Sequence, residues 1–90
     1  MNDLQTIPLS VVMPAYNEEA SIELAVAELQ QHVLNTTPGA ELVVVNDGSR
    51  DRTGKILDQL AYRDSRIRVI HQPNRGHGRA LMTGLDGALG

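Results

Sequence analysis

The side chains whose types and spacing suit a phosphorylated ligand are Asp47, Glu18, Tyr16, Arg75 and Arg79. Asp47 lies in Asn46-Asp47-Gly48-Ser49, directly after the aliphatic run Leu42-Val43-Val44-Val45. A carboxylate at the end of such a run is placed to accept hydrogen bonds from a nucleobase imide or a ribose hydroxyl. Its alternative role is an Asx turn or a helix cap, but Ser49 and Asp51 are at hand as caps, which leaves Asp47 spare. Glu18 follows an earlier apolar run in the same way. Tyr16 is one of only two aromatics, with Tyr62, and reads equally as a face for a base or ribose and as a half-buried loop ring. Arg75 and Arg79 lie beside Gly76 and Gly78 where a helical pattern begins, a setting that suits a diphosphate. Solvated charge is the alternative for both, and the helix start favours binding at Arg79. Base and ribose would then sit on the first two loops and phosphates on the third.

The elements that position these groups follow from periodicity. Leu9–Met13 reads as a strand ended by Pro14, which has no N–H for a ladder. A helix then runs to about Leu34, with Ile22, Val26, Leu29 and Val33 on one apolar face. Asn17 and Ser21 both qualify as its N-cap, and Glu18, Glu19 and Glu23 suit its positive end. Leu42–Asn46, with consecutive valines, reads as a strand buried on both faces. A helix over 52–63 follows, with Ile56, Leu57, Leu60 and Ala61 inward and Ser49 or Asp51 as cap. Ile67–Ile70 is a third strand, His71–Gly78 a polar loop, and Arg79 the start of a helix weakened by Gly84 and Gly87. The order β-α-β-α-β-α with right-handed crossovers predicts an α/β fold, a parallel sheet covered by helices, with every polar loop at one carboxyl edge. Three short strands leave both sheet edges open. Residues 1–90 therefore read as a single partial domain, the front portion of a larger one. Its own C-terminal remainder, or an oligomer through the exposed sheet edges, would cover them.

Composition removes several classes. Ninety residues leave no room for two cores. Without cysteine there is no disulfide framework or thiolate site. The first residues lack the basic flank and apolar core of a signal peptide, and no run approaches membrane-spanning length, so a soluble, cytoplasmic chain is expected. The net charge of −3 divides unevenly: residues 1–49 hold seven acids and no Lys or Arg, and residues 50–90 hold eight bases and four acids. Such a split suits a cleft with an acidic and a basic lip. It lacks the dense basic footprint or stacking aromatics of a nucleic-acid binder, and no nucleic-acid partner is expected.

Known phosphate motifs fit poorly. Gly76-His77-Gly78-Arg79-Ala80-Leu81 has Leu81 where a dinucleotide fingerprint needs its third Gly, and it follows the third strand rather than the first. The loop after the first strand is acidic and free of glycine. Gly48 to Lys55 has one residue too many for a P-loop and ends in Ile56 rather than a hydroxyl. No nucleophile stands on a strand-to-helix elbow. His32, His71 and His77 lack metal-ligand spacing, and loop or surface solvation is the expected role of each.

Three stretches share one resemblance: Val11-Val12-Met13-Pro14-Ala15-Tyr16-Asn17-Glu18-Glu19, Val44-Val45-Asn46-Asp47-Gly48-Ser49-Arg50-Asp51-Arg52-Thr53, and Asn74-Arg75-Gly76-His77-Gly78-Arg79-Ala80. Together, in this order, they resemble the second family of nucleotide-sugar glycosyltransferases, most closely the polyprenyl-phosphate (dolichyl-phosphate type) sugar transferases. The resemblance implies a Rossmann-like nucleotide-diphospho-sugar transferase fold, of which this would be the N-terminal half, and inverting transfer of a sugar. By the same resemblance Pro14, Tyr16 and Glu18 would line the nucleoside pocket, Val45 and Asp47 would contact the base, and Arg79 would lie near the diphosphate. Asp51 is left as a helix cap. The donor would be a UDP- or GDP-sugar and the acceptor a lipid phosphate or glycan, with the full protein membrane-associated at the cytoplasmic face. Magnesium or manganese would be the cofactor. Its D-x-D ligands and the catalytic base do not occur before Gly90, so no catalytic or metal residue is assigned, and the chain would be inactive alone. The competing readings are a dinucleotide-binding module of an NAD-dependent oxidoreductase and a non-catalytic α/β interaction module.

Overall fold

The computed structural model describes residues 9–74 and 76–89. Three strands, β1 (Leu9–Ala15), β2 (Ala40–Asp47) and β3 (Ile67–Gln72), form one parallel sheet in the order β1-β2-β3. Helix α1 (Ile22–Leu29) joins β1 to β2, α2 (Thr53–Arg63) joins β2 to β3, and α3 (His77–Leu89) follows β3. The α/β class and the common polar edge are as the sequence predicts. Among the described residues no helix is long and apolar enough to cross a membrane.

Strand alternation divides the core between the two faces of the sheet. Val11, Met13, Leu42, Val44, Ile67 and Val69 face α1 and α2, where Ile22, Val26 and Leu57 are fully buried. Val12, Val43, Val45 and Ile70 take the other face, under α3. Because β2 is covered on both faces, every residue from Leu42 to Asp47 is buried. Pro14 pairs in register with Val45 inside β1 rather than ending the strand. It is tolerated because β1 is an edge strand, where an N–H need not enter a ladder.

Further departures have local causes. After Leu29 the helix widens into a π-type turn over Gln30–Leu34, which turns Leu34 into the core beside the half-buried Val33. Strand β3 runs two residues past Ile70, because His71 and Gln72 pair with Asn46 and Asp47. Helix α3 accepts Gly84 for a packing reason: a Cβ there would fall onto Val12 Cγ1 and lie 3.1 Å from Val45 Cγ2.

Part of the basic half of the sequence is consumed at the start of β3, away from the polar loops. Asp64, just past α2, receives Arg66 Nε at 2.9 Å and Nη2 at 2.8 Å, and Gln30 Nε2 at 3.0 Å. The Arg66 hydrogen bonds hold the Asp64 carboxyl far below the ordinary carboxylate range, against a smaller upward push from burial. Arg68 pairs with Glu41 at 3.2 Å. These arginines are staples between elements, not one lip of a cleft.

The tight seat of Gly84 sets an expectation opposite to helix propensity. Alanine is better than glycine in a helix interior by about 1 kcal/mol, yet Gly84→Ala should destabilise the chain by about 1–3 kcal/mol, the usual range for overpacking. Urea denaturation measures it, and a raised midpoint would show that α3 does not seat as described.

Candidate functional site

Three loops meet at the carboxyl edge of the sheet: 16–21 after β1, 48–52 after β2 and, after β3, a third whose described residues are 73, 74 and 76. The first two are laced together by main-chain amides that donate to side chains across the gap. Asn17 N donates to Ser49 Oγ at 3.0 Å, Glu18 N to Thr53 Oγ1 at 2.8 Å and Glu19 N to Asp51 Oδ2 at 3.2 Å. In the other direction Arg50 N donates to Asn17 Oδ1 at 2.8 Å and Arg52 N to Glu19 Oε1 at 3.2 Å. Asn17 makes its bonds from a left-handed conformation, φ 51°, which Asn tolerates better than most residues.

This lacing revises the expected caps. Asn17 reaches across to the second loop, and Ser21, at the N-cap position of α1, makes no side-chain cap bond. The Glu18 carbonyl accepts from Ser21 N and Ile22 N instead, at 3.0 and 2.8 Å. Ser49 serves Asn17. Asp51 accepts from Thr53 N at 2.9 Å and Thr53 Oγ1 at 2.5 Å while its other oxygen takes the Glu19 amide, so it is both a turn closer and a bridge. Burial pushes the Asp51 carboxyl up, but the bonds from Thr53 and Glu19 outweigh it and leave the group below its ordinary range.

Asp47 is not spare. It is 1% exposed, and its Oδ1 accepts from Gln72 Nε2 and its Oδ2 from Gly76 N, each at 2.9 Å. The carboxylate thereby fixes the third loop. Gly48 completes that junction. Its φ is +72°, and a Cβ would lie 2.5 Å from Asn74 N, so both conformation and space require glycine.

Tyr16, Glu18 and Pro14 are half-buried on or beside the first loop, adjoining the Asp47 tip, and the Glu18 and Tyr16 side chains take no part in the lacing. Val45 has no exposed surface and packs under α3, so it supports the edge from beneath and presents nothing to a ligand in this arrangement. Arg79 is exposed in the first turn of α3 and lines a surface cavity of about 340 Å³ with Met82, Thr83 and Asp86. Arg75 lies outside the described residues. His71, expected to be solvated, is instead the penultimate residue of β3 and bonds to Asn46 and Asp58. Its role was hidden because the partners are 25 and 13 residues away in sequence. Among the described residues no three His, Asp or Glu side chains converge as a metal ion would need, and Asp47 faces N–H donors. The described residues do not fit a divalent cation, and no metal chemistry is assigned to them.

Comparison with known proteins gives the chain its relatives. Residues 10–90 match the family model described as glycosyl transferase family 2. Over 85 residues the chain is 45% identical to a Bacillus subtilis protein named uncharacterized glycosyltransferase EpsJ, covering 93% of this chain and 24% of that protein. It is 37% identical over 84 residues to the undecaprenyl-phosphate 4-deoxy-4-formamido-L-arabinose transferase of Pseudomonas aeruginosa, covering 91% of this chain and 25% of that protein. Glycosyltransferase AglD of Haloferax volcanii is 39% identical, over 93% of this chain and 14% of its own length. The chain thus spans a quarter or less of the length of these relatives.

The lacing makes Thr53 a sharp test. Thr53→Val removes the acceptor of the Glu18 amide and should cost about 1–3 kcal/mol in urea denaturation, whereas Thr53→Ser, keeping the hydroxyl, should remain close to wild type. Acid should undo the same contacts. A carboxyl lowered on folding contributes its full stability above its unfolded pKa of about 3.9 and loses it as the pH falls further. An Asp51→Asn variant should therefore lose stability less steeply in acid than wild type. Parallel acid limbs would remove Asp51 from the lacing.

Proposed function

The chain belongs to glycosyl transferase family 2, and from that premise we propose that it forms the donor-binding portion of an inverting enzyme that transfers a sugar from a UDP- or GDP-sugar. The observation that carries the reading is the Asp47 carboxylate. It is buried at the tip of the central strand and already engaged with N–H donors from the end of β3 and from the third loop. A uracil or guanine imide presents a donor of the same kind, and would take over one of these positions as the loop moves aside. Tyr16 offers its ring to the base or ribose, Glu18 its carboxylate to a ribose hydroxyl and Pro14 a wall beside them, while Val45 only supports the strand tip from beneath. The diphosphate falls to the start of α3, where Arg79 is exposed and a Cβ at Gly76 or Gly78 would meet nothing within 4 Å.

Family members generally use a divalent metal. In this proposal magnesium or manganese takes its ligands from outside the described residues, as does the base that activates the acceptor, and the 90-residue chain is inactive alone. The acceptor is a lipid phosphate or a glycan. The relative named undecaprenyl-phosphate 4-deoxy-4-formamido-L-arabinose transferase supports the first of these. The reaction belongs at the cytoplasmic face of a membrane, where nucleotide sugars meet lipid phosphates. The remaining partner is the chain's own C-terminal remainder, or a second copy, against the open edge of β1 and the outer side of α3. That side exposes Leu81, Met82 and Leu85.

Titration calorimetry with UDP, GDP and NAD tests the reading. One of the first two should bind and NAD should not. Asp47→Ala should weaken that binding at least about tenfold, the usual scale for a charge-assisted hydrogen bond. A preference for NAD would support the oxidoreductase alternative, and affinity unchanged by Asp47→Ala would take this carboxylate out of the site.

A further inference from the structure

Next to Asp47 lies a second buried polar side chain, Asn46, 7% exposed, whose bonds fix the protonation pattern of a histidine. Asn46 Oδ1 accepts the Ser49 main-chain N–H at 3.2 Å and so closes the turn that follows β2. The Asn46 amide nitrogen then points to His71 Nδ1 at 3.0 Å. An amide nitrogen can only donate, so His71 Nδ1 must be the bare, accepting nitrogen and Nε2 must carry the proton. Nε2 meets Asp58 Oδ1 on α2 at 2.8 Å, where a donor is what the carboxylate requires. Each atom in the series Ser49–Asn46–His71–Asp58 thus has one role, and reversing any member sets two donors face to face.

The neighbouring helix is shaped to admit this pair. Gly54, in the first turn of α2, would with a Cβ lie 2.6 Å from Asn46 Nδ2 and 3.4 Å from His71 Cε1. Glycine is disfavoured in a helix, and here the space it leaves is taken by the Asn46 amide.

We propose that His71 is a positioning residue for the nucleotide pocket: as the neutral Nε2–H tautomer it orients the Asn46 amide, which holds the Asn46–Ser49 turn and with it the Asp47 carboxylate. The functional half rests on the nucleotide reading given above; the positioning half does not. The bond to Asp58 is half in solvent, with side chains 46% and 63% exposed, and serves mainly to orient the ring.

The test combines spectroscopy with variants. Long-range ¹⁵N–¹H spectra of the chain above neutral pH should show His71 protonated on Nε2 and bare on Nδ1. Hydrogen exchange should show the Ser49 amide protected. His71→Leu removes the acceptor and Gly54→Ala intrudes on the amide, while His71→Asn restores an acceptor near the Nδ1 position. The first two should expose the Ser49 amide and weaken UDP or GDP binding about five- to tenfold, as for one lost hydrogen bond, and His71→Asn should retain both properties. A ring protonated on Nδ1 overturns the proposal, and so does a His71→Leu variant with Ser49 still protected. If wild type binds neither nucleotide, the donor reading and the functional half fail together, and the tautomer and the Ser49 amide decide the positioning half.

Discussion

Burying the polar tip of β2 is the constraint on which the rest of this arrangement depends. The strand is covered on both faces through Asp47, so Asn46 and Asp47 leave water along with the valines before them. A buried amide or carboxylate is tolerated only when its hydrogen-bonding capacity is met. The chain meets it from outside the strand. The end of β3 gives Gln72 and the third loop Gly76 to Asp47, and the second loop and β3 give Ser49 and His71 to Asn46. The loops close over the sheet edge because the strand end would otherwise be unsatisfied.

The lacing of the first loop to the second adds a different kind of order. Its donors are main-chain amides, and its acceptors are short side chains of Asn, Ser, Thr and Asp with one Glu. Such bonds fix backbone rather than side chains, and alternating their direction makes the two loops one unit. Thr53 and Asp51 stand at its centre, where a hydroxyl both donates and accepts within 2.8 Å. Helix α2 begins at Thr53, so the unit is anchored to an element packed into the core.

Much of this was legible in the sequence. Aliphatic runs ending in Pro14 and Asn46 marked the strands, and the 3.6-residue spacing of Ile22, Val26 and Leu29 marked the first helix. What stayed hidden was set by groups distant in sequence. His71 and Gln72 are polar and look like loop, yet they extend β3 because their partners are the buried tip of β2. Gly84 reads as a weakness in α3, yet Val12 and Val45 beneath it leave no room for a Cβ. The uneven charge suggested a cleft, but Arg66 and Arg68 neutralise Asp64 and Glu41 at the opposite end of the sheet. At the candidate site the sequence placed Asp47 at the end of the central strand, but it showed neither that Asp47 already has partners nor that Asn46 has any role.

The first loop has a consequence for anion recognition. Successive main-chain N–H groups at residues 17, 18 and 19 form what in other proteins makes a nest for phosphate, but here each N–H is committed to the second loop or to Thr53 at the start of α2. At these three positions the loop offers a diphosphate no main-chain N–H, and the side chains of Tyr16 and Glu18 stay out of the lacing. The architecture is carried by main-chain atoms, which leaves the Tyr16 and Glu18 side chains uncommitted to it. Glu18 holds the fold with its amide and carbonyl, which leaves its side-chain identity open to change in the course of evolution. Substitution of either side chain can change the surface of this edge while the backbone beneath it stays as it is.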